Sequence, residues 1–323
     1  MKPILASNFE PLFFCEVAPQ QVRIFWHWVD YLAQECAALG KIPCYINLDE
    51  TSVARCLGRP VGFLASRAMW PGQTAPRRRI SKQLKRAAVT QVVLMTNLPQ
   101  VQPKLPQFFL CNRHVVPVSA LKNPALQKPP QVEFWRGVSG WNSVEKMEWI
   151  LAQIRNAMLE FPDMQTVLLL DVAMCHIHPR VAAAAERLGI WLVFVPAKLT
   201  FLVQPLDVYA LAPYKACLAK LFAEKEDEHG VLDALSWLQC LCKAATTFWC
   251  ARKWLPAFEK TGVVQTAGAL TVELEHAGVP RVAQIPFMPP SREDIEAIFP
   301  RGRFVPYVSL FWHPARLDPP LLT

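Results

Sequence analysis

Apolar positions recur at near-helical spacing through residues 19–39, PQQVRIFWHWVDYLAQECAAL, where Val22, Phe25, Trp28, Leu32 and Ala37 mark one face and Gly40 follows as a stop. The pattern predicts an amphipathic helix. KIPCYINLDETSV then reads as a strand through Cys44 to Leu48 that ends on Asp49 and Glu50. AAVTQVVLMTN and PQFFLCNRHVV are two strand-like runs joined by the proline-rich LPQVQPKLP, most simply an antiparallel pair. GWNSVEKMEWILAQIRNAMLEF predicts a helix with Val144, Met147, Ile150, Leu151, Ile154 and Met158 inward. Val167 to Leu170 is apolar without alternation, the signature of a strand covered on both faces. HPRVAAAAERLG predicts a helix ending at Gly189, IWLVFVPA a buried strand, and VYALAPYKACLAKLFAEKEDEH a helix interrupted by Pro213. Beyond residue 230 the chain is helical and Trp-rich, with a short helix opened by Ser291 and then irregular proline-rich sequence. This order predicts an α/β fold, a mixed sheet flanked by helices.

Three apolar runs end in acid: Asp49 after the first strand, Asp171 after the buried run at 167–170, and Asp207 at the start of a helix. Asp is common just after strands as a turn cap, and Asp171 can be read that way. The other reading starts from cost. Neighbouring carboxylates buried without partners are expensive and force one another to stay protonated. A divalent ion removes that penalty: Mg²⁺ prefers oxygen ligands and binds through one or two carboxylates plus phosphate oxygens. Two ions roughly 4 Å apart can activate a nucleophile on one side of a phosphorus and stabilise the leaving oxygen on the other.

Charge placement makes phosphate the expected companion. Between Glu50 and Glu133 no Asp or Glu occurs in 82 residues, while thirteen Arg and Lys do. The block culminates in PRRRISKQLKR, where Arg77, Arg78, Arg79, Lys82, Lys85 and Arg86 fall within ten residues of apparent loop. Such a run can be solvated surface or a nuclear-import signal, and it also suits a DNA or RNA backbone, because Lys and Arg displace condensed counterions. The remaining totals exclude other classes. A 323-residue chain that is 52% apolar, with 11 Trp and 18 Phe, is too hydrophobic for disorder. No segment reaches 18 apolar residues without a charge, and Glu10 with two prolines interrupts the apolar core that a signal peptide would need, so an intracellular protein without a membrane span is expected. Ten cysteines without a CxxC pair predict buried thiols rather than a disulfide framework or zinc ribbon.

NLDET at 47–51, LLLDVAMCH at 168–176 and VPAKLTFLVQPLDVYALAPYK at 195–215 resemble the three signature blocks of the DDE superfamily transposase catalytic domain of the pogo/mariner type. SGWNSVEKMEWIL resembles that family's Gly-Trp helix entry, and 35 residues separate Asp171 from Asp207, as the family leads one to expect. The resemblance covers roughly residues 20 to 230 and is specific in combination. It implies an RNase H-like fold and metal-dependent endonuclease and strand-transfer chemistry on DNA. Asp49, Asp171 and Asp207 take the catalytic and metal-ligand roles, with Mg²⁺ or Mn²⁺, two ions per site, as cofactor. His176 and Gln204 align with residues beside the acids. Residues 1–40 are then expected to lead into the core, 41–230 to form it, and 231–323 to add a helical extension and tail. The nucleus and a homodimer complete the expectation.

Val172 stands where the family commonly has Asn, and Met174 where it has Pro. Only 48 residues precede Asp49, so the family's N-terminal helix-turn-helix region is expected to be absent. From a different class comes a catalytically inactive, transposase-derived DNA-binding or interaction protein, which would bind DNA without metal. A nuclease acting on RNA or hybrid duplexes is a third reading. Cys175, His176 and His178 could suggest zinc, but a closed site needs four ligands. Glu50, next to Asp49 on a strand, should face away from it.

Overall fold

The computed structural model describes residues 18–55, 87–225, 232–266 and 269–276, with 291 and 293. The basic run Arg77, Arg78, Arg79, Lys82, Lys85 and Arg86 lies outside the described residues, as does most of the helix expected after Ser291.

Helix α1 (Ala18–Ala38) leads into β1 (Ile42–Ala54). Next come β2 (Ala88–Thr96), β3 (Gln107–Asn112) and β4 (Val132–Gly137). The chain continues through α2 (Val144–Met158), β5 (Met164–Leu170), α3 (Pro179–Arg187) and β6 (Trp191–Phe194). A π-helical turn, Leu206–Ala210, opens α4 (Leu211–Ala223); α5 (Ala234–Ala244), a second π turn (Ala245–Cys250) and α6 (Leu255–Lys260) follow.

The strands form one sheet in the order β4-β3-β2-β1-β5-β6. β2 runs antiparallel to both neighbours, and every other adjacent pair is parallel. Five strands therefore point the same way, and their carboxyl ends share one edge.

Side chains on β1 alternate between two apolar layers, as pleating requires. Tyr45 and Val53 join the layer under α1, α4, α5 and α6, while Cys44, Ile46 and Leu48 join the layer under α2 and α3. Residues 232–266 belong to the first layer, where Trp237, Phe248, Trp249 and Phe258 are almost wholly buried. Burial pushes the thiols of Cys36, Cys44, Cys111 and Cys242 up to about 12, as expected of packed rather than reactive cysteines. No helix among the described residues is long and apolar enough to cross a membrane.

Several local expectations are corrected. The buried stripe of α1 runs Val22, Phe25, Val29, Leu32, Cys36; Trp28 is half-buried and Ala37 is exposed. β1 is longer than Cys44–Leu48 because β2 pairs with it along residues 46–54. Pro213 does not interrupt its helix. It occupies the first turn of α4, where its missing N–H costs little, and the irregularity falls upstream in the π turn.

One close approach sets a steric test. Gly262 has φ +70°, and a Cβ there would lie 2.5 Å from the indole of Trp26, whose Nε1 donates to the Thr261 carbonyl at 2.9 Å. Gly262→Ala is expected to cost about 2–4 kcal/mol from left-handed strain and overpacking together. Urea unfolding followed by tryptophan fluorescence checks it; an unchanged midpoint would contradict the packing described.

Candidate active site

β1 and β5 are the first positioning elements. Their parallel register pairs Asn47 with Leu169. Two residues further along each chain stand Asp49, still within β1, and Asp171, just past the end of β5. Asp49 is buried at 9% exposure, on the same face of β1 as Tyr45, whereas Asp171 is half-buried just past the end of β5.

Asp207 reaches the same neighbourhood from the π turn after β6 and is exposed to solvent. Asn47 holds that turn in place. Its Oδ1 accepts from the Leu206 amide at 2.8 Å, and its Nδ2 donates to the Leu169 carbonyl at 3.2 Å. One fully buried side chain thereby ties together the elements carrying all three acids.

The electrostatics register this convergence. The Asp49 carboxyl is pushed up to about 8, first by burial, then by the charges of Asp207 and Glu50, with Asp171 adding a smaller push. Against these stands the Glu50 amide, which donates to Asp49 Oδ1 at 2.7 Å.

Asp171 behaves oppositely. Burial would raise its carboxyl, but the hydrogen bond and charge of His176, with the Ala173 amide at 3.1 Å, hold it below the usual carboxylate value. His176 is fully buried, its Nδ1 2.5 Å from Asp171 Oδ1 and its Nε2 2.9 Å from Glu50 Oε1. A ring facing a carboxylate at each nitrogen donates from both, which is the imidazolium form. Although burial works against that charge, the bonds to Asp171, Cys175 and Glu50 raise the His176 value well above normal.

Glu50 does face away from Asp49, on the α2 side of the sheet, yet it is not a bystander. Asn142, just ahead of α2, donates from Nδ2 to Glu50 Oε1 and to Met147 Sδ. Asp171, His176, Glu50 and Asn142 thus form one connected polar chain along the carboxyl edge. Sequence reasoning missed Asn142 and the part played by Asn47; the signal for Asn47 was a polar residue two positions before Asp49 in an otherwise apolar run.

Gln204, expected beside the acids, is buried at 1% exposure, and neither of its amide atoms has a hydrogen-bond partner among the described residues. His178 Nδ1 accepts from the Arg180 amide at 3.2 Å and caps α3. Glu50, Cys175 and His176 present ligand atoms within 4.8 Å of one another. Both nitrogens of His176 already face carboxylates, so this trio is ill suited to zinc. Asp49, Asp171 and Asp207 offer oxygen, the donor a hard cation takes, but they do not form a group whose ligand atoms meet that 4.8 Å spacing.

The sheet order, with β2 alone reversed and the acids at the carboxyl edge, defines an α/β fold of the RNase H-like kind. No family model matches the chain, and no curated protein matches it in sequence. Among solved structures, the chain is similar to a Mos1 transposase paired-end complex with left transposon end, at 14% identity and a TM-score of 0.36, covering 71% of this chain and 63% of that one. It is also similar to a Mos1 mariner paired-end complex with Mn, at 15% identity and a TM-score of 0.34, covering 75% and 63% respectively. The chain therefore spans less than two thirds of the length of both.

Proposed function

We propose that the chain is a transposase-derived nuclease domain that hydrolyses or transfers DNA phosphodiesters with Mg²⁺ or Mn²⁺ held by Asp49, Asp171 and Asp207. The observation that carries this reading is the buried Asn47, which bonds the Leu206 amide and the Leu169 carbonyl and so ties together the three elements that bear the acids; the upward push on Asp49 from burial and from the charges of Asp207 and Glu50 agrees with it. The signature-block resemblance and the one-sign basic block support it. When bound, the cation would supply charge neutralisation at the phosphate and a nucleophile at neutral pH. The protein's own residues do the positioning. His176 and the Ala173 amide fix Asp171, Asn47 fixes the turn that carries Asp207, and the Glu50 amide orients Asp49. DNA is the proposed partner, held by Arg77, Arg78, Arg79, Lys82, Lys85 and Arg86; a homodimer and nuclear location belong to the same proposal.

Purified protein should nick supercoiled DNA with Mg²⁺ or Mn²⁺ and not in EDTA. Asp171→Ala should reduce nicking by about 10³-fold or more, the scale of losing several kcal/mol of charge stabilisation. Reversing Arg77 to Arg79 should weaken DNA binding and flatten its salt dependence. Absence of metal-dependent nicking, with Asp171→Ala equal to wild type in every activity, would remove catalysis from the account.

One observation favours a second reading, a catalytically inactive DNA-binding protein of the same descent. Asp171 already has a cationic partner in His176, so less of its charge is left for a metal. This reading predicts salt-sensitive DNA binding that ignores divalent ions, and no nicking.

A further inference from the structure

Trp141 is 78% exposed, yet its backbone is fixed on both sides. Its amide donates to Ser139 Oγ at 3.1 Å, and its carbonyl accepts from the ammonium of Lys146, which also donates to the Ser139 carbonyl at 3.0 Å. Lys146 is itself buried at 6% exposure, so a charge is taken out of water to hold this loop. The preceding residue, Gly140, lies so close to β3 that a Cβ would meet the Leu110 carbonyl at 3.2 Å. The following residue, Asn142, is bonded to Glu50 and through it to His176 and Asp171. A large indole is thus held out to solvent, on a clamped loop, at the edge that carries the acids.

Exposed charges flank it: Arg113 and Arg136 at the ends of β3 and β4 and, with the opposite sign, Glu145 in the first turn of α2. Arg113 and Arg136 are exposed beside the loop: the Arg113 amide donates to the Gly137 carbonyl at 2.8 Å, and the Arg136 guanidinium donates to the carbonyls of Arg113 and Val116. Carbonyl partners leave its positive charge uncancelled. Arg113 belongs to the acid-free stretch from Thr51 to Val132; Arg136 lies just beyond Glu133, which ends it. The two ends of the undescribed basic segment, Arg55 and Ala87, meet in a 2.7 Å hydrogen bond past the carboxyl end of β1, beyond Asp49 on the same strand. An exposed aromatic on a loop flanked by two exposed arginines suits a polyanion whose units carry flat rings.

We propose that Trp141 is the stacking platform for an unpaired base of a nucleic-acid strand crossing the acidic edge. This rests on the reading that DNA is the substrate and adds how a strand is held there. Lys146 acts as a positioning residue, presenting the indole. The strand's phosphates lie against Arg113 and Arg136, and the preference is for base over no base rather than for a sequence, because every base has a stacking face.

The test compares two single strands of about twelve nucleotides, one of thymidines and one of abasic sugar-phosphate units, by fluorescence anisotropy in EDTA, where cleavage plays no part. Wild type should bind the thymidine strand more tightly. Trp141→Ala should lose about 10-fold on the thymidine strand and little on the abasic one, within the span expected for one stacked base. Trp141→Phe should retain most of the preference, and Arg113→Ala should weaken both strands and lower the salt slope by about one. If Trp141→Ala binds both strands as wild type does, the stacking role is overturned while the nicking assay on Asp171→Ala still judges the nuclease reading separately. If neither strand binds wild type, stacking falls whatever that assay gives. If Trp141→Ala instead abolishes self-association seen by analytical ultracentrifugation and spares DNA binding, the indole is a protein contact and the proposal is overturned.

Discussion

Asp49→Asn is expected to melt at a higher temperature than wild type without metal and to cut no DNA. The folded chain holds the Asp49 carboxyl at about 8 against an ordinary 3.8, so folding opposes its ionisation. The penalty is absent below the unfolded value, grows as pH rises from about 4, and is complete above about 8. At about 1.4 kcal/mol for each pH unit of difference, it amounts to several kcal/mol at most, and a neutral amide removes it. The same substitution deletes a ligand oxygen. Wild type should gain about 2.7 kcal/mol from Mg²⁺ at a hundred times its dissociation constant, and Asp49→Asn far less. Because Asp49 must lose a proton before ligating, wild-type metal affinity should climb with pH toward about 8. Thermal melts at pH 8 with and without Mg²⁺ check this; equal melting points and equal responses to Mg²⁺ would contradict it.

His176→Ala is expected to destabilise the protein by about 3 kcal/mol near pH 6, the low end for breaking a buried ion pair by deleting one member. The low end applies because Asp171 and Glu50 keep 32% and 19% of their side-chain surface in contact with water. Removing the ring leaves two facing carboxylates without the cation between them. The pH dependence has two limbs. His176 is raised, so its contribution is complete below the unfolded value of about 6.5 and is lost as pH rises through the folded value, well above it. Asp171 is lowered, so its contribution is present above 3.8 and lost as pH falls through its folded value. The deficit should therefore be widest in the mildly acid range and narrow on both sides. Urea unfolding at several pH values measures it; a deficit that does not vary with pH would mean His176 acts by packing alone.

Periodicity carried much of the architecture. The α2 stripe of Met147, Ile150, Leu151, Ile154 and Met158 is buried as its spacing predicts, and the unbroken run Val167 to Leu170 lies between two apolar layers. β4 was not visible in VEFWRG because an edge strand is only half-buried and its alternation is weak. The stripe of α1 drifted by a residue at its end because Cys36, rather than Ala37, completes the helical spacing.

For the site, an acid at the end of an apolar strand was legible at Asp171, where β5 opens into the sheet's crevice; Asp49 was marked by the same reasoning but lies inside β1, which β2 pairs on to Ala54. What joins those residues was not. The contact of Glu50 with His176 spans 126 positions, and that of Asn47 with Leu206 spans 159. Such contacts exist only once the sheet order is known. His176 was marked as a neighbour of the acids, but its second carboxylate could not be foreseen, because Glu50 reaches it from the face of β1 opposite Asp49.

Asp49, Asp171 and Asp207 are proposed to share a divalent cation. In a crystal soaked in Mn²⁺ and measured at the manganese absorption edge, anomalous density bound by carboxylate oxygens of all three residues is expected. Density at Glu50, Cys175 and His176, or none at the three aspartates in fully soaked crystals, would contradict it.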